Sequence, residues 1–350
     1  MKQSLSLQQL AAEIQYIDTH KQDFIEPAHL VNYTVNKGGA EYESRFGSGG
    51  MTNHAFSQVS ADLGIPSSYR NKLMQSGNFD LLADNINTLN QQSIKNRTFR
   101  LVDSDMRASL SDSYSMDYDD PTIFKAILPV LHDMGDDIVV QSAGLTETNM
   151  YLKVTSKKLM GEVKVGDVVN GGIMFRNSSV GMGFYQEQEF INRLVCLNGM
   201  VKANNVSSFK KMHKGAKQGL GEVRSDTTYA IQQAIALQIR DSIRASLNPV
   251  HFQKTLEDMK ETTTRKISGK VDEAVKELGK IVGYTQSEGD DIFKHLIEGG
   301  DLSQYGLLNA VTKYAQDDDI SYDRATQLEV IGGKVLSLNA KQWRNVSEAA

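Results

Sequence analysis

A chain of 350 residues with 40% hydrophobic residues, 23% charged residues and only five prolines has the composition of a folded protein with a sizeable core, which excludes a disordered or fibrous one and leaves room for about two domains. Its net charge of -5 excludes a generally basic nucleic-acid coat while permitting a local cationic surface. The single cysteine, Cys196, excludes an intrachain disulfide and a thiolate-rich zinc or iron–sulfur site.

The chain opens on MKQSLSLQQLAAEIQYIDTH, an amphipathic stretch broken by Gln and Glu that lacks the apolar centre of a signal peptide. No later run reaches membrane-spanning length, so a cytoplasmic protein without membrane insertion is expected. From Ser6 to about Asn90 apolar residues recur mostly at helical spacing, as in Leu10, Ile14 and Ile17, and predict a helical entry segment. Lys37 to Gly50, KGGAEYESRFGSGG, interrupts it and predicts a mobile loop. TNHAFSQVSADLGIPSSYRNKLM then predicts a helix, a break at Gly64-Ile65-Pro66, and a second helix capped by Ser67 or Ser68.

Between Arg97 and Met200 the period changes to two. IVVQSAGLTE, MYLKVTS, EVKVGDVV, GIMFRNSS and FINRLVCLNG predict the strands of an antiparallel sheet, with one helix from Pro121 to Met134. Past Arg224 the helical period returns. Ile231, Ile235, Ile239, Ile243 and Leu247 predict one long amphipathic helix ended by Asn248-Pro249. Thr285 and Glu288 form a capping box ahead of a stop at Gly299, and further helices follow near Leu302 to Ala315 and Tyr322 to Leu338. The expected class is α+β: a helical N-terminal segment, a central antiparallel sheet with packed helices, and a helical C-terminal part. The expected organisation is an entry segment with a Gly-rich loop over 1–50, an α+β core over 51–224 and a helical part over 225–345.

Two sets of cations carry the chemical reading. Lys202, Lys210, Lys211, Lys214, Lys217 and Arg224 lie in one stretch with a single nearby acid, Glu222, before Asp226. Beside Gly215, Gly219 and Gly221 such side chains suit a phosphodiester backbone, with His213 and Phe209 on sugar or base; a solvated loop is the alternative. The second set is Arg97, Arg100 and Arg107. On a strand Arg97 and Arg100 point to opposite faces, so only one joins a shared groove, or an arginine here pairs with Asp103, Asp105 or Asp112 to fix the turn.

Other motifs are weaker. Glu162-Val163-Lys164 matches half of a metal-dependent nuclease pattern that wants an upstream acid such as Asp117, Asp136 or Asp137, although strand alternation alone puts Glu162 and Lys164 on one exposed face. Asp117 to Asp120 and Asp317 to Asp319 lack the glycine and terminal glutamate of an EF-hand and read as helix-end or solvated charges. The histidines show no HxH or HxxxH spacing, so neither a preformed metal site nor a cofactor is expected. Cys196, inside RLVCLNG, reads as a buried structural cysteine. GSGG lacks the lysine of a P-loop, and GMGF lacks the context of a dinucleotide fingerprint.

NRTFRLVDSDMRASLSDSY over Asn96 to Tyr114, RLVCLNGMVK with the basic stretch up to Gly215, the trio His54, Pro66 and Tyr69, and the C-terminal GLLNAVTKYAQDDDISYDRATQLEVIGGKVL together resemble the phage- and plasmid-encoded family catalogued as domain of unknown function 932. The resemblance runs from roughly His54 to Leu338 and covers Val250 to Gly283 poorly. It implies a phage or prophage origin and a role inside the bacterial cell. The expectation is a non-enzymatic nucleic-acid-associated protein binding single-stranded DNA or a replication or recombination intermediate, with contacts from Lys202, Lys210, Lys211, His213, Lys214, Lys217, Arg97, Arg100 and Arg107. The alternatives are an assembly or host-takeover factor whose 231–247 helix docks a protein partner or a second copy, and a metal-dependent nuclease at Glu162 and Lys164.

Overall fold

A computed structural model describes residues 4–195, 198–202, 210–211 and 225–350. Helix α1 (Leu7–His20) starts at a capping box, where Ser6 Oγ accepts from Gln9 N and Gln9 Oε1 accepts from Ser6 N, and it buries Leu10 and Ile14. The chain then turns to strand earlier than the helical spacing suggests, giving β1 (Lys21–Pro27), β2 (Asn32–Asn36), β3 (Gly39–Ser44) and β4 (Gly47–Gly50). The expected loop over 37–50 is therefore a strand pair, in a sheet of order β2-β3-β4. Tyr33, Val35, Ala40 and Tyr42 alternate inward and bury one face of it. Glycine serves close approach in this segment: a Cβ on Gly49 would lie 2.0 Å from Ser104 O.

Three helices follow: α2 (Asn53–Asp62), capped by Thr52, α3 (Ser67–Gln75) and α4 (Phe79–Gln91). The cap position of α3 falls on Pro66, one residue before the expected serines, and carries no side-chain cap bond. Strands β5 (Asn96–Val102) and β6 (Asp105–Ser111) form a hairpin turned at Asp103, a non-glycine residue at φ 56°, and join β1 in a sheet of order β1-β5-β6.

After α5 (Asp120–Asp133) comes the main antiparallel sheet: β7 (Ile138–Leu145), β8 (Met150–Glu162), β9 (Val168–Asn177), β10 (Tyr185–Arg193), β11 (Asn198–Lys202) and β12 (Lys210–Lys211). Its order is β11-β10-β9-β8-β7, with β12 also paired to β10. Two expected strands are really hairpin turns with their flanks. EVKVGDVV is cut at Gly166, whose φ is 81°, and FINRLVCLNG is cut after Arg193, so Asn198-Gly199 begins a strand instead of ending one. Cys196 lies outside the described residues.

The rest is helical: α6 (Ser225–Ser246), α7 (Pro249–Thr264), α8 (Val271–Val282), α9 (Gln286–Gly299), α10 (Gln304–Tyr314), α11 (Tyr322–Leu336) and α12 (Ala340–Ser347). Asn248 ends one helix and caps the next, taking Val250 N at 2.9 Å with Pro249 in the first turn. The Thr285–Glu288 capping box is present, and α9 stops at left-handed Gly300, one residue later than expected. The class is α+β, as the periods predict.

One face of the main sheet is shared between two helix groups. Met150, Leu152, Val154, Ile173 and Phe175 pack with α1, α5 and α6, while Val169, Ile191 and Met200 pack with the helices after α6. Within the expected docking stripe Ile235, Ile239 and Ile243 are buried in the first group, so most of that stripe faces the chain's own core. The opposite sheet face meets α11 through a buried pair, Lys153 Nζ to Glu329 Oε2 at 2.5 Å, with the Tyr322 ring 5.1 Å from the ammonium. Only glycine at 333 lets α11 lie this close, since a Cβ there would sit 2.1 Å from Val201 O.

Removing one partner of a buried ion pair leaves the other charge uncompensated. Lys153→Met is therefore expected to cost about 3–5 kcal/mol in urea unfolding, and the double variant Lys153→Met/Glu329→Met to recover most of it.

Candidate functional site

The β5–β6 hairpin separates the three candidate arginines. Arg97 turns to one side, donating from Nη2 to Ser109 O at 2.6 Å and approaching Asp62 at 3.5 Å. Arg100 turns to the other, where it is 1% exposed. Past Arg100 the register jumps from Arg100↔Ala108 to Leu101↔Met106, leaving Arg107 as the extra residue of a β-bulge. The bulge brings Arg107 round to the side of Arg100, and both line a small cavity of about 30 Å³.

The expected turn acids are not the partners of these arginines. Asp103 accepts from Tyr16 Oη at 3.0 Å, and Asp105 accepts from Gly50 N at 3.0 Å. Arg100 instead holds Asp23 on β1 through Nε and Nη2, both at 2.8 Å, and Asp119 ahead of α5 through Nη2 at 2.8 Å. Its Nη1 donates to Ser179 O, and the Tyr114 ring lies 5.7 Å away. Burial opposes the charge, but the two carboxylates outweigh it and hold the guanidinium more firmly protonated than an ordinary arginine. Lys21 completes the group at 3.3 Å from Asp119.

Next to Asp119, Asp120 starts α5 with its carboxyl buried. Asn177 Nδ2 donates to it at 2.7 Å, and its own N–H donates to Ser179 Oγ at 2.7 Å. Burial pushes this carboxyl up to about 6, against the opposing pull of Ser179 and Asn177.

Arg107 faces a larger cleft of about 720 Å³ whose walls include Glu13, Tyr16, Asp103, Asp105 and Glu147. Its nearest described partner is Glu147 O at 3.4 Å from Nη2. Glu147 Oε1 in turn accepts from His54 N at 2.5 Å in the first turn of α2, and His54 Nε2 bonds Val180 O at 2.8 Å, so that nitrogen carries the proton. With four carboxylates around one guanidinium, this cleft repels a polyanion, and the three arginines do not assemble into a phosphate-binding groove.

The described members of the other candidate set, Lys202, Lys210 and Lys211, lie at the edge of the main sheet. Lys202 is tied to α7, with Nζ 2.7 Å from Asp258 and 3.3 Å from Thr255 Oγ1. The backbones of Lys210 and Lys211 pair with Gln186 and Tyr185 of β10. His213, Lys214 and Lys217 lie outside the described residues, as do Phe209 and Arg224.

Glu162 and Lys164 do not converge. Glu162 Oε1 accepts from Gly166 N at 2.5 Å inside its own turn, while Lys164 pairs with Asp301 beside the Tyr305 ring. Asp137 holds Ser156 and the Lys158 N–H, and Asp117 holds Ser115. Among the described residues no group of three His, Cys, Asp or Glu side chains is placed to hold a metal ion. No described helix is long and apolar enough to cross a membrane.

The raised Asp120 carboxyl sets the sign of a pH effect. A folded-state value of about 6 above the ordinary 3.8 means that its contribution is fully present below about pH 4 and lost as pH rises through about 6. Asp120→Asn, neutral throughout, is expected to match the wild type near pH 4 and to exceed it near pH 7 by on the order of 3 kcal/mol in thermal unfolding.

No curated protein and no solved structure matches the chain. A family model does match, over residues 122–341. The matched region includes Arg193 to Gly215, the Val250 to Gly283 stretch expected to be poorly covered, and the C-terminal helices; it leaves out His54, Pro66, Tyr69 and Asn96 to Tyr114. With well over half of its length matched, from the start of α5 into α12, the chain belongs to the family described as domain of unknown function (DUF932).

Proposed function

We propose that this is a phage- or prophage-encoded protein of the bacterial interior that associates with nucleic acid without catalysis, binding single-stranded DNA or a replication or recombination intermediate through Lys210, Lys211, Lys214 and Lys217. One observation carries the reading: Lys202 to Arg224 holds six cations and a single acid in a chain whose net charge is -5. A polyanion approaching such a molecule is drawn to that stretch and repelled elsewhere. The stretch is tied to the fold before it by β11 on β10, within it by β12 on β10 and after it by α6 on α5, which supports binding at one defined edge. The engagement of Arg97, Arg100 and Lys202 in internal contacts leaves phosphate contact to the four lysines.

The test is fluorescence anisotropy of a labelled single-stranded oligonucleotide across a salt series. Each phosphate contact contributes roughly 0.7 to the logarithmic salt slope on a single strand, so replacing the four lysines by alanine is expected to weaken binding and flatten the slope by about 3. Lys202→Ala is expected to leave the slope unchanged. Identical binding by the quadruple variant at low and moderate salt overturns the assignment, and absence of wild-type binding at low salt turns the reading toward a protein partner.

A further inference from the structure

Glu187 stands on β10 beneath α6 and is 0% exposed. Its surroundings are apolar: Phe175 is its cross-strand neighbour on β9, and Ile235, Ile239 and Ile243 of α6 belong to the same buried cluster as Phe175. Tyr185 Oη donates to Oε1 at 2.7 Å, and the Ser242 hydroxyl on α6 lies near enough to favour the carboxylate. Oε2 is buried with no partner. On the outer edge of β10, β12 pairs at Tyr185 and Gln186 and β11 pairs from Glu189 onward, so Glu187 falls between the two pairings.

No described cation compensates this carboxyl. On α6, Arg240 pairs with Asp241 and Arg244 is exposed. On α5, Lys125 and His132 are exposed. Lys202, opposite Glu189 on β11, is held by Asp258, and Lys211 is in register with Tyr185. A neutral carboxylic acid is tolerable in such a place; a carboxylate with one unpaired oxygen is not.

We propose that Glu187 is a proton-sensitive latch on α6: the protonated acid lets the helix seat on the sheet, and ionisation loosens it. Burial pushes the carboxyl up to about 7, with Ser242 and Tyr185 pulling the other way. The sign follows from linkage. A carboxyl raised in the seated state stabilises it fully below about pH 4.5, and that contribution falls as pH rises, levelling off above about 7. Because α6 is the first described element after the lysine-rich stretch, its seating governs where that stretch rejoins the fold.

Hydrogen exchange followed by mass spectrometry on the full chain, corrected for the intrinsic pH dependence of exchange, tests the latch. Protection across Ser225–Ser246 is expected to fall by nearly tenfold per unit from about pH 5 to about pH 7 and then level off, with α10 changing far less. Glu187→Gln is expected to remove the dependence and keep α6 protected throughout. Ser242→Ala, which removes a hydroxyl favouring the carboxylate, is expected to move the levelling-off to higher pH, a shift that simple loss of helix packing does not produce. A Glu187→Gln profile identical to the wild type, an equal loss of protection in α10, or an unmoved Ser242→Ala profile overturns the proposal. Exchange is read on the protein alone, so the outcome is independent of whether nucleic acid binds.

Discussion

A guanidinium with 1% exposure must have its charge met by the protein, and at Arg100 three separate stretches of chain meet it. Asp23 comes from β1, Asp119 from the approach to α5, and the Ser179 carbonyl from the end of β9. A donor fork of fixed shape accepts only one arrangement of these groups, so the contact sets the position of the hairpin sheet against the main sheet. The first turn of α5 inherits that position, since Asp120 bonds Asn177 and Ser179 beside it. Lys21 and Tyr114 close the remaining sides of the cluster.

Three of the buried acids, Glu329, Asp120 and Glu187, treat charge in three different ways. Glu329 faces Lys153 and is compensated across the sheet–helix boundary. Asp120 receives hydrogen bonds but sits deep enough that its proton is retained to about pH 6. Glu187 has neither a described counter-ion nor a complete set of donors. Only the first gains from staying ionised, because Coulombic attraction offsets desolvation there. A rise to neutral pH therefore weakens the surroundings of α5 and α6.

Periodicity made the class legible. The change from helical spacing to a period of two near Arg97, and back past Arg224, brackets β5 to β12, the second part of the hairpin sheet and all of the main sheet, whereas β1 to β4 precede it. Glycine misled over 37–50, where it permits strands to approach other backbone instead of making a loop. Apolar Leu194 and Val195 disguised a hairpin turn as strand interior. The arginine partners were hidden for another reason: Asp23 is 77 residues from Arg100, whereas the sequence-local acids face other donors. Arg97 and Arg100 diverge as alternation requires, but the bulge that turns Arg107 toward Arg100 has no mark in residue type. The basic stretch between Lys202 and Arg224, by contrast, is a matter of composition and was fully visible.

Helix α1 lies outside the family-matched residues, yet its Leu10 and Ile14 belong to the same cluster as Ile123, Ile127, Met150 and Leu152 inside them. The border drawn by sequence kinship and the border drawn by solvent exclusion do not coincide in this protein. A chain shortened to begin at the matched residues would expose that cluster and lose the whole Arg100–Asp23–Asp119 contact, making it sticky instead of independent. A relative without this N-terminal region would have to roof the same sheet face with another apolar segment, since the face itself lies inside the matched residues.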